Sequence, residues 1–213
     1  MAARITRTLF AFKKYLIMEE TAPEMLIVAG PNGSGKTTLA LSYSKAFNAE
    51  YIGADKIAYD INPTDPYSVR MQAGERFIRS INDLIQSQRS FVVETTLAGK
   101  TFDRFIERAR GQGFVVTIVF VFLDSDELCV RRVARRVQKG GHLVPEIDIR
   151  RRFKRSMSNF WHKYRRLADN WIIAYNGGEH LQDVAIGSAL SVAVRDESLL
   201  RLFFRLGGIS ENE

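Results

Sequence analysis

Gly30-Pro31-Asn32-Gly33-Ser34-Gly35-Lys36-Thr37 follows the apolar run Met25-Leu26-Ile27-Val28-Ala29 and leads into Thr38-Leu39-Ala40-Leu41. A glycine-spaced turn between an apolar strand and a helix is how a chain cradles a polyphosphate. The glycines let backbone N–H groups point inward, and the new helix adds the positive end of its dipole. Lys36 is placed to reach the β- and γ-phosphates, and the Thr37 hydroxyl to hold Mg²⁺. The predicted nucleotide contacts are therefore Gly30, Pro31, Asn32, Gly33, Ser34, Gly35, Lys36, Thr37 and Thr38, with ATP or GTP as the phosphate donor.

Working outward, strands are predicted at 25–29, 50–54, 90–95, 114–123 and 171–175, mostly continuous apolar runs as in a sheet covered on both faces. Helices are predicted at 36–47, 66–88, 101–111, 126–139 and 146–167. Asp65-Pro66 opens the second with a capping acid and a first-turn proline, Pro145 precedes the last, and Gly111 and Gly113 end the third. This alternation implies an α/β three-layer P-loop fold, a mainly parallel five-stranded sheet with helices on both faces. Residues 181–208, with Leu199, Leu200, Leu202, Phe203 and Phe204, read as one or two amphipathic helices packed on the same domain.

The chain of 213 residues carries a net charge of +7 and one cysteine, Cys129. One cysteine excludes an internal disulfide framework and fits a reducing cytoplasm. No apolar run approaches the ~20 residues a membrane helix needs. Residues 1–18 are acid-free, with Arg4, Arg7, Lys13 and Lys14 around Leu9, Phe10 and Phe12. Lys13-Lys14 breaks the apolar stretch a secretory signal would need, so 1–20 reads as a basic extension, either a frayed helix or sequence upstream of a start at Met18. The organisation expected is that extension, a P-loop domain at 21–180 and a helical tail at 181–213.

Charge is concentrated: residues 131–166 hold 13 of the 31 basic residues and two acids, Glu146 and Asp148. One basic segment in an otherwise acidic chain suggests a lid over anionic ligands, whereas uniform basicity would suggest nucleic acid. Arg131, Arg132, Arg135 and Arg136 recur at helical spacing, Lys139-Gly140-Gly141-His142 turns the chain, and Arg150, Arg151, Arg152 and Arg155 begin the return helix. Closure of such a hairpin would bring arginines to the transferring phosphoryl group and exclude water. His142 reads as a surface residue before a catalyst.

Three acids end predicted strands, where ligands bind in open parallel sheets. Asp55 could accept a proton from an attacking hydroxyl, or cap the helix after it. Glu94, followed by Thr95 and Thr96, is suited to substrate hydroxyls or a Mg²⁺-bound water. Asp124 follows Phe120-Val121-Phe122-Leu123 in a Walker B-like pattern that helix capping also explains. Glu94 is the preferred metal partner with Thr37.

Together, the phosphate loop through Thr38, Gly53-Ala54-Asp55-Lys56-Ile57-Ala58, Val93-Glu94-Thr95-Thr96-Leu97, and Gly140-Gly141-His142-Leu143-Val144-Pro145 with Ile149-Arg150-Arg151-Arg152 resemble the zeta-toxin family. The resemblance covers roughly residues 24–178 and is closest to the stand-alone bacterial branch. It implies an ATP- or GTP-dependent phosphotransferase acting on the 3′-hydroxyl of the sugar in UDP-N-acetylglucosamine. It implies Lys36 as the essential nucleotide-binding lysine, Asp55 as general base, and Glu94 and Thr96 as sugar-nucleotide contacts. Phosphate clamps would come from Arg132, Arg135 or Arg136 and from Arg150, Arg151 or Arg152, and Asn176 would sit near the base. The predicted catalytic set is Lys36, Asp55, Arg132, Arg135 and Arg152. Plasmid zeta toxins carry a longer stretch around the substrate acid than the Asp55 segment here. An antitoxin would be a separate protein. Acceptors left open are another metabolite, an antibiotic or a polynucleotide end; a nucleotide-dependent switch with no acceptor is the other class.

Overall fold

The computed structural model describes residues 22–141, 143–188 and 190–210. The extension at 1–20 and His142 lie outside the described residues. The element order is β1 (Glu24–Ala29), α1 (Lys36–Phe47), β2 (Glu50–Gly53), α2 (Ala54–Ile61), α3 (Arg70–Gln86), β3 (Phe91–Thr95), α4 (Asp103–Gly111) and β4 (Val115–Phe122). Then come α5 (Asp126–Gln138), α6 (Glu146–Asn159), a π-helical turn (Phe160–Tyr164), α7 (Arg165–Leu167), β5 (Asn170–Tyr175), β6 (Gln182–Ser188), β7 (Val192–Val194) and α8 (Glu197–Gly207).

The strands form one sheet in the order β2-β3-β1-β4-β5-β6-β7. The five strands expected from the sequence are its parallel part. β6 and β7 pair antiparallel beyond β5, giving seven strands among the described residues instead of five. The tail is thus a hairpin followed by one helix, and the expectation of helix throughout 181–208 is corrected. The spacing of Val184, Ile186, Val192 and Val194 is strand-like, and pairing on β5 satisfies an edge that a helix would leave open.

The strands are buried on both faces because alternate residues serve different cores. Met25, Ile27 and Ala29 pack with helices α3 to α6 and α8, while Leu26 and Val28 pack with Leu39, Ala40 and Tyr43 of α1. An aromatic cluster fixes the first layer: Phe120 stacks on Phe160 with ring centroids 4.7 Å apart, and Trp161 meets Phe204 edge-on at 4.5 Å.

Two helix expectations are corrected. The helix expected at 66–88 begins at Arg70; Asp65 Oδ1 instead accepts from the Ser68 N–H and caps the turn before it. The helix expected at 146–167 switches to π geometry at Phe160–Tyr164, where the Arg165 N–H reaches the Phe160 carbonyl. Among the described residues no helix is long and apolar enough to cross a membrane.

Candidate active site

Five segments meet at the carboxyl ends of the parallel strands. They are Gly30–Gly35 after β1, the first turn of α2 with Asp55 directly after β2, the end of β3 with Glu94 and the loop that follows it, Asp124 after β4 and Asn176 after β5. Gly35 caps α1 in the left-handed region at φ 97°, and an added Cβ would come within 2.5 Å of Asn176 Nδ2. That amide donates to the Ser34 carbonyl at 2.7 Å, bracing the phosphate loop. Arg132 Nη2 donates in turn to the Asn176 carbonyl at 2.9 Å. Asn176 therefore stands against the loop backbone.

Lys36 is 5% exposed, and its Nζ donates to the Pro31 carbonyl at 2.8 Å. Burial pulls its pKa below the ordinary lysine range, opposed by the negative charges of Glu94 and Asp55. Glu94 gathers the polar groups around it. Its Oε1 accepts from Thr37 Oγ1 at 3.0 Å and lies 4.0 Å from Lys36 Nζ, and its Oε2 accepts from Tyr51 Oη at 2.6 Å. Burial and the Glu94 charge drive the Tyr51 phenol far up, so it stays a donor.

Tyr51 was not singled out from the sequence. It sits opposite Val92 and reaches diagonally to Glu94, whose own partner across the strands is Gly53. A Cβ on Gly53 would collide with the Tyr51 hydroxyl, so the glycine makes room for the bond. A tyrosine two positions before a strand-end glycine was the available signal.

Thr37 and Glu94 present a hydroxyl and a carboxylate oxygen side by side, the hard donors that suit Mg²⁺ with water and phosphate completing its shell. Asp124 is used elsewhere: it accepts from Tyr175 Oη at 2.6 Å. Thr96 Oγ1 accepts from the Ala98 N–H at 3.4 Å.

Lys36, Thr37, Thr38, Asp55, Glu94, Arg132 and Arg136, with Asn32, Gly33, Gly35 and Val133, line a cleft of about 150 Å³. On its other side Asp55 lines a second cavity of about 130 Å³ with Arg70, Asp148, Arg152 and Tyr67. Past Pro66, Tyr67, Leu143 and Pro145 this opens into about 530 Å³ walled also by Tyr59, Thr64 and Asp65. Among the described residues, Asp55 is the one that lines both the cleft and the second cavity. It lies in the first turn of α2, where Gly53 occupies the cap position and no side chain caps the helix, so capping does not explain it.

The arginines divide sharply. Arg132 and Arg136 face the phosphate-loop cleft and Arg152 the second cavity, 3.6 Å from Asp148. Arg135 lines an open hollow next to the cleft, shared with Arg132, Arg136, Lys139, Gly140 and Gly141, but it is not among the residues lining the cleft itself. Arg150 is held by Glu146, Asp126 and Glu127 at 2.8 to 3.1 Å, joining α6 to the start of α5. Arg151 pairs with Asp148 at 2.7 Å. Helical spacing could not separate these roles, because it does not reveal where the acids of a neighbouring helix fall.

Residues 25–158 match the model of the AAA domain family. An uncharacterized protein of Haemophilus influenzae is 30% identical over 145 residues, 66% of this chain and 98% of that one. Among solved structures, one from the PezAT chromosomal toxin–antitoxin system of Streptococcus pneumoniae superposes with a TM-score of 0.65 at 16% identity, covering 100% of this chain and 91% of that one. The AvrRxo1-ORF1:AvrRxo1-ORF2 complex with sulphate ions gives 0.69 at 16% identity, covering 100% and 72%. These likenesses show an α/β P-loop kinase fold, and the family match covers more than half of the sequence: the chain belongs to the AAA domain family.

Proposed function

We propose that this protein is a phosphotransferase of zeta-toxin type, moving the γ-phosphate of ATP or GTP to a hydroxyl of a UDP-sugar such as UDP-N-acetylglucosamine. The observation that carries the reading is the position of Asp55 between two cavities, one lined by the phosphate loop and one by Arg70, Arg152 and tyrosines. A nucleotide switch needs only the first cavity.

In this reading Lys36 and the loop N–H groups hold the donor phosphates, and Mg²⁺ at Thr37 and Glu94 supplies charge neutralisation when bound. Asp55 takes the proton of the acceptor hydroxyl as its oxygen bonds to phosphorus. The bond from phosphorus to the bridging oxygen breaks and the nucleoside diphosphate leaves with that electron pair. Arg132, Arg136 and Arg152 offset the charge spread over the transferring group. The acceptor space, near 530 Å³ at its mouth with Tyr59 and Tyr67 exposed, suits a nucleotide-sized acceptor carrying a planar ring better than a small polyol. Thr96, with its oxygen accepting from Ala98, keeps its hydroxyl proton to donate to that acceptor.

The α5–α6 hairpin serves as the lid, Asn176 lies near the donor base, and the protein works in the cytoplasm. Solved structures of like fold come from a toxin–antitoxin system and a two-protein complex, which supports a separate antitoxin as partner. The test is transfer from γ-labelled ATP with Mg²⁺ to UDP-N-acetylglucosamine, read by mass spectrometry. A phosphorylated sugar nucleotide that vanishes with Lys36→Ala is expected. ATP binding without product, there and across a panel of metabolites and oligonucleotides, would reject the kinase reading.

A further inference from the structure

The loop after β3 carries Thr96 out of the sheet, and its backbone is held from outside the site described so far. Asn159 Nδ2 donates to the Leu97 carbonyl at 2.9 Å and to the Gly99 carbonyl at 3.3 Å. Tyr164 Oη donates to the same Gly99 carbonyl at 2.7 Å, and Lys163 Nζ to the Lys100 carbonyl at 2.6 Å. Lys163 also pairs with Asp103 at 2.6 Å, tying the far end of the loop to the start of α4.

All three donors lie within six residues, and the π turn is what lets them converge. An α-helix would put Asn159 and Tyr164 well over a quarter turn apart, whereas a π turn closes at i to i+5 and brings them onto neighbouring faces. The turn is fixed from behind by Phe160 on Phe120 and Trp161 on Phe204. The clamped loop holds an unusual shape, with Leu97 at φ 52° and nearly fully buried. The Leu97 and Ala98 N–H groups fold back onto Thr95 Oγ1 and Thr96 Oγ1, which orients both hydroxyls. Burial raises the Tyr164 phenol to about 12, so the donor persists at neutral pH.

The clamp also has a second end. Asn159 lies seven residues after Arg152 on α6, two turns along the same face. One helix therefore supplies an arginine to the acceptor cavity and an amide to the loop bearing Thr96.

Resting on the phosphotransferase reading above, we infer that Asn159 and Tyr164 are positioning residues for the acceptor: they set the Thr95–Thr96 loop relative to Arg152 without touching substrate. The donor phosphates are held by the phosphate loop, to which neither residue bonds, so the two substrates respond differently.

The experiment uses the full chain with Asn159→Asp, which exchanges the donating amide for an oxygen facing two carbonyls, and Tyr164→Phe, which removes one hydroxyl. Steady-state transfer to UDP-N-acetylglucosamine gives kcat and KM for each substrate, and hydrogen exchange is followed over residues 95–100. The inference expects kcat/KM for the acceptor to fall about tenfold or more in both variants while nucleotide KM stays within about twofold. It also expects faster exchange of the Leu97 and Ala98 amides. Equal losses for nucleotide and acceptor, or an unchanged acceptor kcat/KM, would overturn it. If the unaltered chain transfers to no acceptor, the kinase reading fails and the positioning role falls with it. Unchanged exchange at 97 and 98 would overturn the clamp in either case.

Discussion

The two cavities that meet at Asp55 are built in opposite ways. The nucleotide side comes mostly from one unbroken stretch, Asn32 to Thr38, with Lys36 buried and its loop braced by Asn176. The side proposed for the acceptor is assembled from residues 54–73, 140–141 and 143–152, with Tyr59, Tyr67 and Leu143 about half exposed or more. Gripping phosphate asks for one local backbone shape, whereas recognising an acceptor asks for side chains brought from several elements. Changes on the first side should be severe and general; changes on the second should be graded and specific to the acceptor.

The largest effect expected is from Lys36→Ala, which removes the ammonium that in the proposed reading would face the donor phosphates. Transfer should fall at least ~10²–10³-fold for every acceptor, measured as initial rate at saturating nucleotide. Arg152→Ala sharpens the contrast from the other side. It should lower kcat/KM for the acceptor about ten- to a hundredfold, through kcat as well as KM, and leave nucleotide affinity by calorimetry unchanged. A matching loss of nucleotide affinity would break the division.

Tyr51→Phe probes the seam between the two. Without its hydroxyl, Glu94 keeps Thr37 but loses its other hydrogen bond. The Mg²⁺ concentration for half-maximal nucleotide binding should rise about tenfold. Gly53→Ala should behave similarly, because the new methyl pushes the same hydroxyl away. If Gly53→Ala leaves the Mg²⁺ dependence untouched, Glu94 is not oriented by Tyr51.

The smallest effect lies at the other end of β1, away from both cavities. Glu24 is largely buried, and burial raises its pKa above the ordinary carboxylate range, with the Thr117 hydroxyl opposing the shift in part. The folded state holds this proton more tightly than the unfolded one. Its stabilising share is therefore full below the ordinary carboxylate pKa and is lost as pH rises through the raised value. Glu24→Gln should accordingly stabilise at neutral pH, by on the order of 1 kcal/mol, and change little in acid. Thermal melts at the two pH values check this.

The same division explains what could be read from the sequence. The phosphate loop, the five parallel strands and the strand-end acids were legible because each depends on a short stretch with a local rule. The β6–β7 hairpin was obscured by apolar residues of α8 close behind it, which made one long helical pattern plausible. The acceptor walls were not legible, since nothing in the order of residues says that Tyr67 and Arg70 come to face Leu143 and Arg152. The separation of Arg152 from Arg150 depends on Asp126 and Glu127 across the hairpin, while Asp148 within α6 pairs with both Arg151 and Arg152. The tyrosine partners of the strand-end acids, Tyr51 for Glu94 and Tyr175 for Asp124, were not legible either, since both come from neighbouring strands.

The most direct measurement takes Asp55→Asn, which keeps size and removes the base, and compares nucleotide affinity with phosphoryl transfer to UDP-N-acetylglucosamine. Affinity should be unchanged and transfer reduced ~10²–10⁴-fold. Transfer that survives the substitution would contradict Asp55 as the group joining the two cavities, and ATP turnover that survives without any acceptor would point to a hydrolytic switch.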